Sequence, residues 1–196
     1  MKRIAHAKRV AVAVLLLSTI PSLTLSTPAS AQIVPVDRNA VSLSAAFFSG
    51  SPVYQLGFSH SLNPALDFTA LYAYQSVAGT SGGLLDAGLR YHLPVTAPGV
   101  DVFLGAGLAN VSAGSPGFGA TSAWGASVGA GASVWLGPTL TGYASGSEFL
   151  FSGASNAVID LGLALQFAPL LSGQVGWITY GGSGAVYLGL DLRFPL

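Results

Sequence analysis

The sequence predicts an all-β fold: a membrane-spanning, antiparallel up-and-down β-barrel of about ten strands, with eight as the alternative count. Three observations carry that expectation. The N-terminus is laid out as an export signal, the rest of the chain is oily yet nearly uncharged, and apolar residues recur with a period of two.

The export signal comes first. A basic start (Lys2, Arg3, Lys8, Arg9) precedes an apolar run from Val10 to Leu17, and a looser stretch ends in Ala29-Ser30-Ala31, an A-x-A cleavage pattern. The apolar run is too short to span a bilayer comfortably. Residues 1–31 are therefore expected to be cleaved as a signal peptide, leaving 32–39 as a short periplasmic leader and 40–196 as the barrel. After cleavage three arginines (Arg38, Arg90, Arg193) stand against seven acids and no lysine, a net charge of −4. That balance gives no basic footprint for nucleic acid. The absence of cysteine excludes disulfides and thiolate metal sites.

Composition then selects strands over helices. Charged residues make up 7% of the chain and apolar residues 51%, whereas a soluble domain carries about 25% charged residues to keep its surface wet. From Val102 to Ser147 there is no charge, but there are eleven glycines and Pro116. Each interior glycine costs a helix about 1 kcal/mol relative to alanine. Strands in lipid must close on themselves, because an open edge leaves backbone groups unpaired in hydrocarbon.

Ten alternating segments follow, most with the roughly 9–11 residues that a tilted membrane strand requires. The first, 40–48, opens the series. Segment 53–62 sets Leu56 and Phe58 against Gln55, Gly57 and Ser59. In 65–75, Phe68, Ala70, Tyr72 and Tyr74 oppose Asp67 and Thr69. In 84–93, Leu85, Ala87, Leu89 and Tyr91 oppose Asp86, Gly88, Arg90 and His92. In 100–109, Val102, Leu104, Ala106 and Leu108 oppose Asp101, Gly105 and Gly107. Segment 122–135 turns Gly125, Gly129 and Gly131 inward and carries Trp135 on that same inward parity. Segment 139–147 is ambiguous, since Leu140, Gly142 and Ala144 compete weakly with Thr141 and Tyr143. In 157–167, Ile159, Leu161, Leu163, Leu165 and Phe167 oppose Asp160, Gly162 and Gln166. After 171–180, the last segment, 185–194, sets Val186, Leu188, Leu190, Leu192 and Phe194 against Tyr187, Gly189, Asp191 and Arg193. The greasy face is expected outward, and every strand charge falls inward, as lipid demands.

Turn signals alternate between two kinds. Proline-bearing turns at 61–64, 93–99, 136–138 and 167–169 are expected to be periplasmic, on the side of both termini. Gly-, Ser-, Ala- and Asn-rich stretches at 49–52, 76–83, 110–121, 148–156 and 181–184 are expected to be mostly longer external loops. Segments entering the first kind end in aromatics. Phe58, Tyr91, Trp135, Phe167 and Phe194 thus read as a periplasmic girdle at the membrane boundary.

With export signal, dyad pattern and the terminal strand Tyr187-Leu-Gly-Leu-Asp-Leu-Arg-Phe194 in view, residues 40–196 resemble the small bacterial outer-membrane β-barrel proteins, the OmpA/OmpX-like membrane domains in the broad sense. The resemblance implies residence in the outer membrane of a diderm bacterium. It also implies the bilayer as a partner, and delivery by a barrel-insertion machinery that reads a terminal aromatic strand. Here Pro195-Leu196 follow Phe194, where the superfamily usually ends on phenylalanine.

Candidate sites are few. Asp67, Arg90, Asp101, Asp191 and Arg193 should sit inside the barrel near the periplasmic mouth, as an ion-pair plug that fixes register or as the lining of a solute or proton path. The only mature histidines are His60 and His92. His60 and Ser61 point to opposite faces of a strand and are poorly placed to share a proton, so no catalytic or metal residue is assigned. Gly105-x-Gly107 and Gly129-x-Gly131 lead into no helix and are not phosphate-binding loops, and no cofactor is expected. Inward glycines are expected to make room for inward rings such as Phe103, Tyr143 and Tyr187, the alternative being a small open lumen. The loops carry Glu148 and no base, which argues against gripping anionic lipopolysaccharide. Phe149-Leu150-Phe151 could extend the seventh strand or touch an unknown surface partner. The expected function is non-enzymatic, structural or surface-interacting in the envelope. The alternative is a narrow pore for small solutes, and an envelope hydrolase stands third.

Overall fold

The computed structural model describes residues 39–48, 51–77, 79–115, 119–180 and 182–194. The expected signal peptide and leader, up to Arg38, and the final Pro195-Leu196 lie outside these.

The described chain forms ten strands: β1 (Ala40–Phe48), β2 (Ser51–Asn63), β3 (Leu66–Val77), β4 (Thr80–His92), β5 (Val100–Ser115), β6 (Gly119–Trp135), β7 (Leu140–Phe151), β8 (Ala154–Ala168), β9 (Leu171–Tyr180) and β10 (Ser183–Arg193). Each pairs antiparallel with its sequence neighbour, and β1 pairs with β10 from Ala40↔Arg193 to Phe47↔Val186, so the barrel is closed. The count is ten rather than eight, and closure leaves both strand termini at one rim.

Alternation assigns the faces as expected. Leu43, Leu56, Leu104, Leu108, Leu161, Leu163, Leu188 and Leu190 are exposed on the outer wall, while Gln55, Asp67, Asp86, Arg90, Asp160 and Asp191 are buried inside. The ambiguous β7 resolves with Thr141, Ser145 and Phe149 buried and Ala144 and Leu150 exposed. A second outer set of aromatics, Phe47, Tyr54, Tyr74 and Trp124, lies toward the other end, with Tyr54 directly opposite Tyr74. Two such girdles bracket a membrane belt.

Three expectations need correction. The long loops are not long: strands continue into them, and β3–β4, β7–β8 and β9–β10 are joined by two residues each, closing on left-handed Gly79, Gly153 and Gly182 (φ 83°, 85° and 86°). Gly/Ser/Ala-rich sequence is as compatible with paired backbone as with loop, and pairing satisfies its donors and acceptors. The longest connection is instead 93–99, on the terminal side. Trp135, on inward parity, is 48% exposed, because it ends its strand at the rim. There it lies over Gly99, and its backbone N–H donates to the Gly99 carbonyl at 2.8 Å. Glu148, expected in a loop, falls within β7 on the outward parity between Gly146 and Leu150, opposite Val128 and Ala157.

Candidate functional site in the lumen

The inward residues sort into two zones along the barrel axis. Toward the rim away from the termini, Ala46, Phe48, Val53, Ala73, Leu84, Ala109, Val111, Phe149, Val158 and Ile178 form one apolar core. With Ala185 and Tyr187 of β10, which belong to the same core, these side chains come from nine strands, all but β6, so the layer crosses the lumen. Phe149 is 1% exposed, so the Phe149-Leu150-Phe151 patch extends β7 and turns its first ring into this layer. Toward the terminal rim the interior is polar.

Two polar clusters occupy that half. In the first, the ring of His92 bridges two carboxylates, with Nε2 2.7 Å from Asp67 Oδ2 and Nδ1 2.8 Å from Asp101 Oδ1. The three residues come from β4, β3 and β5, so the bridge ties adjacent strands across the inside of the wall. Arg90, one inward step from His92, lies over the Phe103 ring at 4.7 Å from its centroid and is attracted by both Asp67 and Asp101. In the second cluster, Arg193 donates to Ser172 Oγ at 2.7 Å, Gln174 donates to Asp191, and Arg193 attracts Asp191. The five charges expected near this mouth therefore occupy two arcs of the wall, β3–β5 and β9–β10. The sequence signal for His92 as the link was its inward parity beside Arg90; its partners come from strands 25 and 9 residues away.

Midway along the lumen a row of four residues crosses β7 to β10 in register: Tyr143, Gly162, Gly176 and Tyr187. A Cβ on Gly162 would lie 2.5 Å from Tyr143 Cζ, and one on Gly176 would lie 2.6 Å from Tyr187 Cζ. Each ring thus fills the space beside the neighbouring glycine, the two hydroxyls meet, and Tyr187 donates to Asp160 Oδ1 at 3.0 Å. Phe103 covers Gly131 in the same way. Gly131, Gly162 and Gly176 thus make room for rings, whereas a Cβ on Gly88, Gly107 or Gly129 would meet backbone or a serine hydroxyl instead. Between the Phe103 and Asp86 sides a cavity of about 20 Å³ is left, lined by Asp86, Arg90 and Ser127, room for about one water.

The girdle residues Phe58, Tyr91, Trp135 and Phe167 are exposed at the terminal rim, and Phe194 stacks on Phe58 at 6.2 Å. His60 lies on the outward parity, its Nδ1 2.9 Å from Asn39 Oδ1, while His92 faces the lumen. The two histidines are thus on opposite faces of the wall and share no site.

No protein-family model matches the chain, and no curated protein sequence does. Among solved structures, a KdgM porin is similar with a TM-score of 0.50 at 9% identity, over 80% of this chain and 99% of that one. The chain has the fold of a small outer-membrane β-barrel. The N-terminal β-barrel domain of Pseudomonas aeruginosa OprF is also similar, at TM-score 0.48 and 16% identity, over 81% of this chain and 99% of that domain. So is a de novo designed transmembrane β-barrel, at TM-score 0.48 and 12% identity, over 79% and 93% of the two chains. At such identities the likeness to outer-membrane barrels is one of fold alone.

Proposed function

We propose that this protein is a non-enzymatic barrel of a diderm outer membrane, exported by the signal at residues 1–31, whose lumen is closed and whose role is structural or surface-interacting. The observation that carries the reading is the apolar layer of Phe48, Leu84, Val111, Phe149, Val158 and Ile178 filling one half of the interior. A pore for polar solutes needs a continuous hydrated path, and packed apolar side chains exclude water. The polar half then serves the wall: buried charges that pair and hydrogen-bond fix which strand sits beside which. The second reading, a narrow pore, draws on the charged terminal mouth and on the porin fold of KdgM, but that fold tolerates both filled and open interiors. Conductance in planar bilayers separates them. The purified barrel should be nearly silent, and steady single-channel currents from the unmodified protein would overturn the closed-lumen reading. Hydrolysis of envelope lipid or protein that disappears in His92→Ala or His60→Ala would overturn the non-enzymatic one.

A further inference from the structure

The outer wall is indented over the seam where β1 closes on β10. A groove of about 580 Å³ lies across β10, β1, β2 and β3. Its cause is one short side chain. On the outward parity of β1, Ala45 stands between Leu43 and Phe47, directly opposite Leu188 on one side and Tyr54 on the other. Ser44 and Gly189 floor the groove beside it, and Ser44 turns its hydroxyl inward, to Gln55 Oε1 at 2.8 Å. Leu43, Leu56, Leu188 and Leu190, all exposed, stand around this trough. One end reaches the girdle away from the termini, to which Tyr54 and Tyr74 belong. Tyr72 leans the same way: its hydroxyl would lie 3.3 Å from a Cβ on Gly83, which pairs with Tyr74, one outward step nearer that rim.

Between two girdles the medium is hydrocarbon. An apolar hollow facing it does not recruit water, which needs about two to four polar partners. Left empty, the hollow forfeits the contacts of its lining. What is at hand at that depth, and flexible enough to enter, is an acyl chain. The tyrosines say from which side the chain comes. Their rings are apolar and their hydroxyls polar, so they stand where hydrocarbon gives way to headgroups. A lipid of the leaflet at that rim can run a chain down the trough while the hydroxyls donate to its ester and phosphate oxygens. No side chain lining the groove is charged. A net-anionic head would find no counter-charge there, and a zwitterionic head needs none.

We propose that this groove is a lipid-binding site, in which one zwitterionic phospholipid lodges an acyl chain over Ala45 and is held at its head by Tyr54, Tyr72 and Tyr74. The inference rests on the reading of the protein as a membrane barrel and gives it a bound lipid distinct from the bulk bilayer.

The test is native mass spectrometry of the full mature barrel, folded into vesicles of equal parts phosphatidylethanolamine and phosphatidylglycerol with the same chains, then extracted into mild detergent. The wild type should retain one phosphatidylethanolamine per barrel. Ala45→Phe fills the trough and should lose that lipid, with Ala45→Leu as the milder filling. Ala87→Phe, on the outward parity of β4 between Ala70 and Leu108 and outside the groove, should keep it. Tyr54→Phe combined with Tyr74→Phe should lower the retained fraction. Heat-modifiable gel mobility confirms that each variant is folded. A folded wild type without lipid, equal retention after Ala45 is filled, or a preference for phosphatidylglycerol would each overturn the proposal. So would a dimer that Ala45→Phe dissolves, since a second copy would then occupy the groove. A chain that does not fold into vesicles would instead overturn the membrane reading itself, so the two fail separately.

Discussion

Replacing Gly162 by alanine tests whether rings lying over glycines hold the middle of the lumen. The added methyl would sit 2.5 Å from Tyr143 Cζ and 2.9 Å from Cε2. An ordinary carbon contact is about 3.5–4.0 Å, so the ring must retreat by about 1 Å or more. That retreat pulls the Tyr143 hydroxyl away from Tyr187, whose own hydroxyl holds Asp160. Overpacking costs about 1–3 kcal/mol, and a lost buried hydrogen bond adds about 0.5–1.5 kcal/mol. The expected loss is therefore about 2–4 kcal/mol, read from urea unfolding in lipid vesicles. Gly105→Ala is the matched control: it is also an inward strand glycine, but its Cβ would meet only the Leu89 carbonyl oxygen, at 3.7 Å. That variant should be neutral or slightly stabilised, by up to about 1 kcal/mol, because alanine restricts the unfolded chain. Adding Tyr143→Ala should cancel most of the Gly162→Ala penalty, a coupling that a double-mutant cycle isolates. Equal losses at Gly162 and Gly105, or no coupling to Tyr143, would refute the reasoning.

Three further outcomes follow from the lumen. Phe149→Ala removes a fully buried ring of the apolar layer and should cost about 3–5 kcal/mol by denaturant unfolding; combined with Ile178→Ala it should raise bilayer conductance above the silent wild type. His92→Ala leaves Asp67 and Asp101 without the ring between them and should cost about 3 kcal/mol, with His92→Gln recovering part of the loss in the same assay. Tyr187→Phe keeps the ring over Gly176 but deletes the donor to Asp160, for an expected loss of about 1–3 kcal/mol and no gain in conductance.

Much of this architecture is legible in the chain because a period of two leaves one choice of face per strand once a single charge is placed. Asp86 and Arg90 put Leu85, Leu89 and Tyr91 outside, and the register agrees along the whole of β4. Parity fails where strands end: Trp135 leaves the inward series because nothing beyond it continues the wall. Loops at 76–83, 110–121 and 148–156 were illegible because small polar residues satisfy turn and strand alike. Glu148 reads as a loop residue in the sequence for the same reason, yet lies in β7. The second girdle did have a signal, since Tyr54 and Trp124 sit on outward parity near the starts of their segments. The division of the lumen into polar and apolar halves needs the stagger of all ten strands at once. No single segment displays it.

The opposite faces of one strand have a consequence for how the molecule reaches its membrane. β8 presents Ile159, Leu161 and Leu163 to one side and Asp160, 1% exposed, to the other. A sheet laid open in the bilayer would press that carboxylate against acyl chains, whereas one left open in water would wet the whole leucine face. Neither half-way condition is tolerable. Crossing the membrane and joining β1 to β10 must therefore advance in step, and assembly has no safe place to pause.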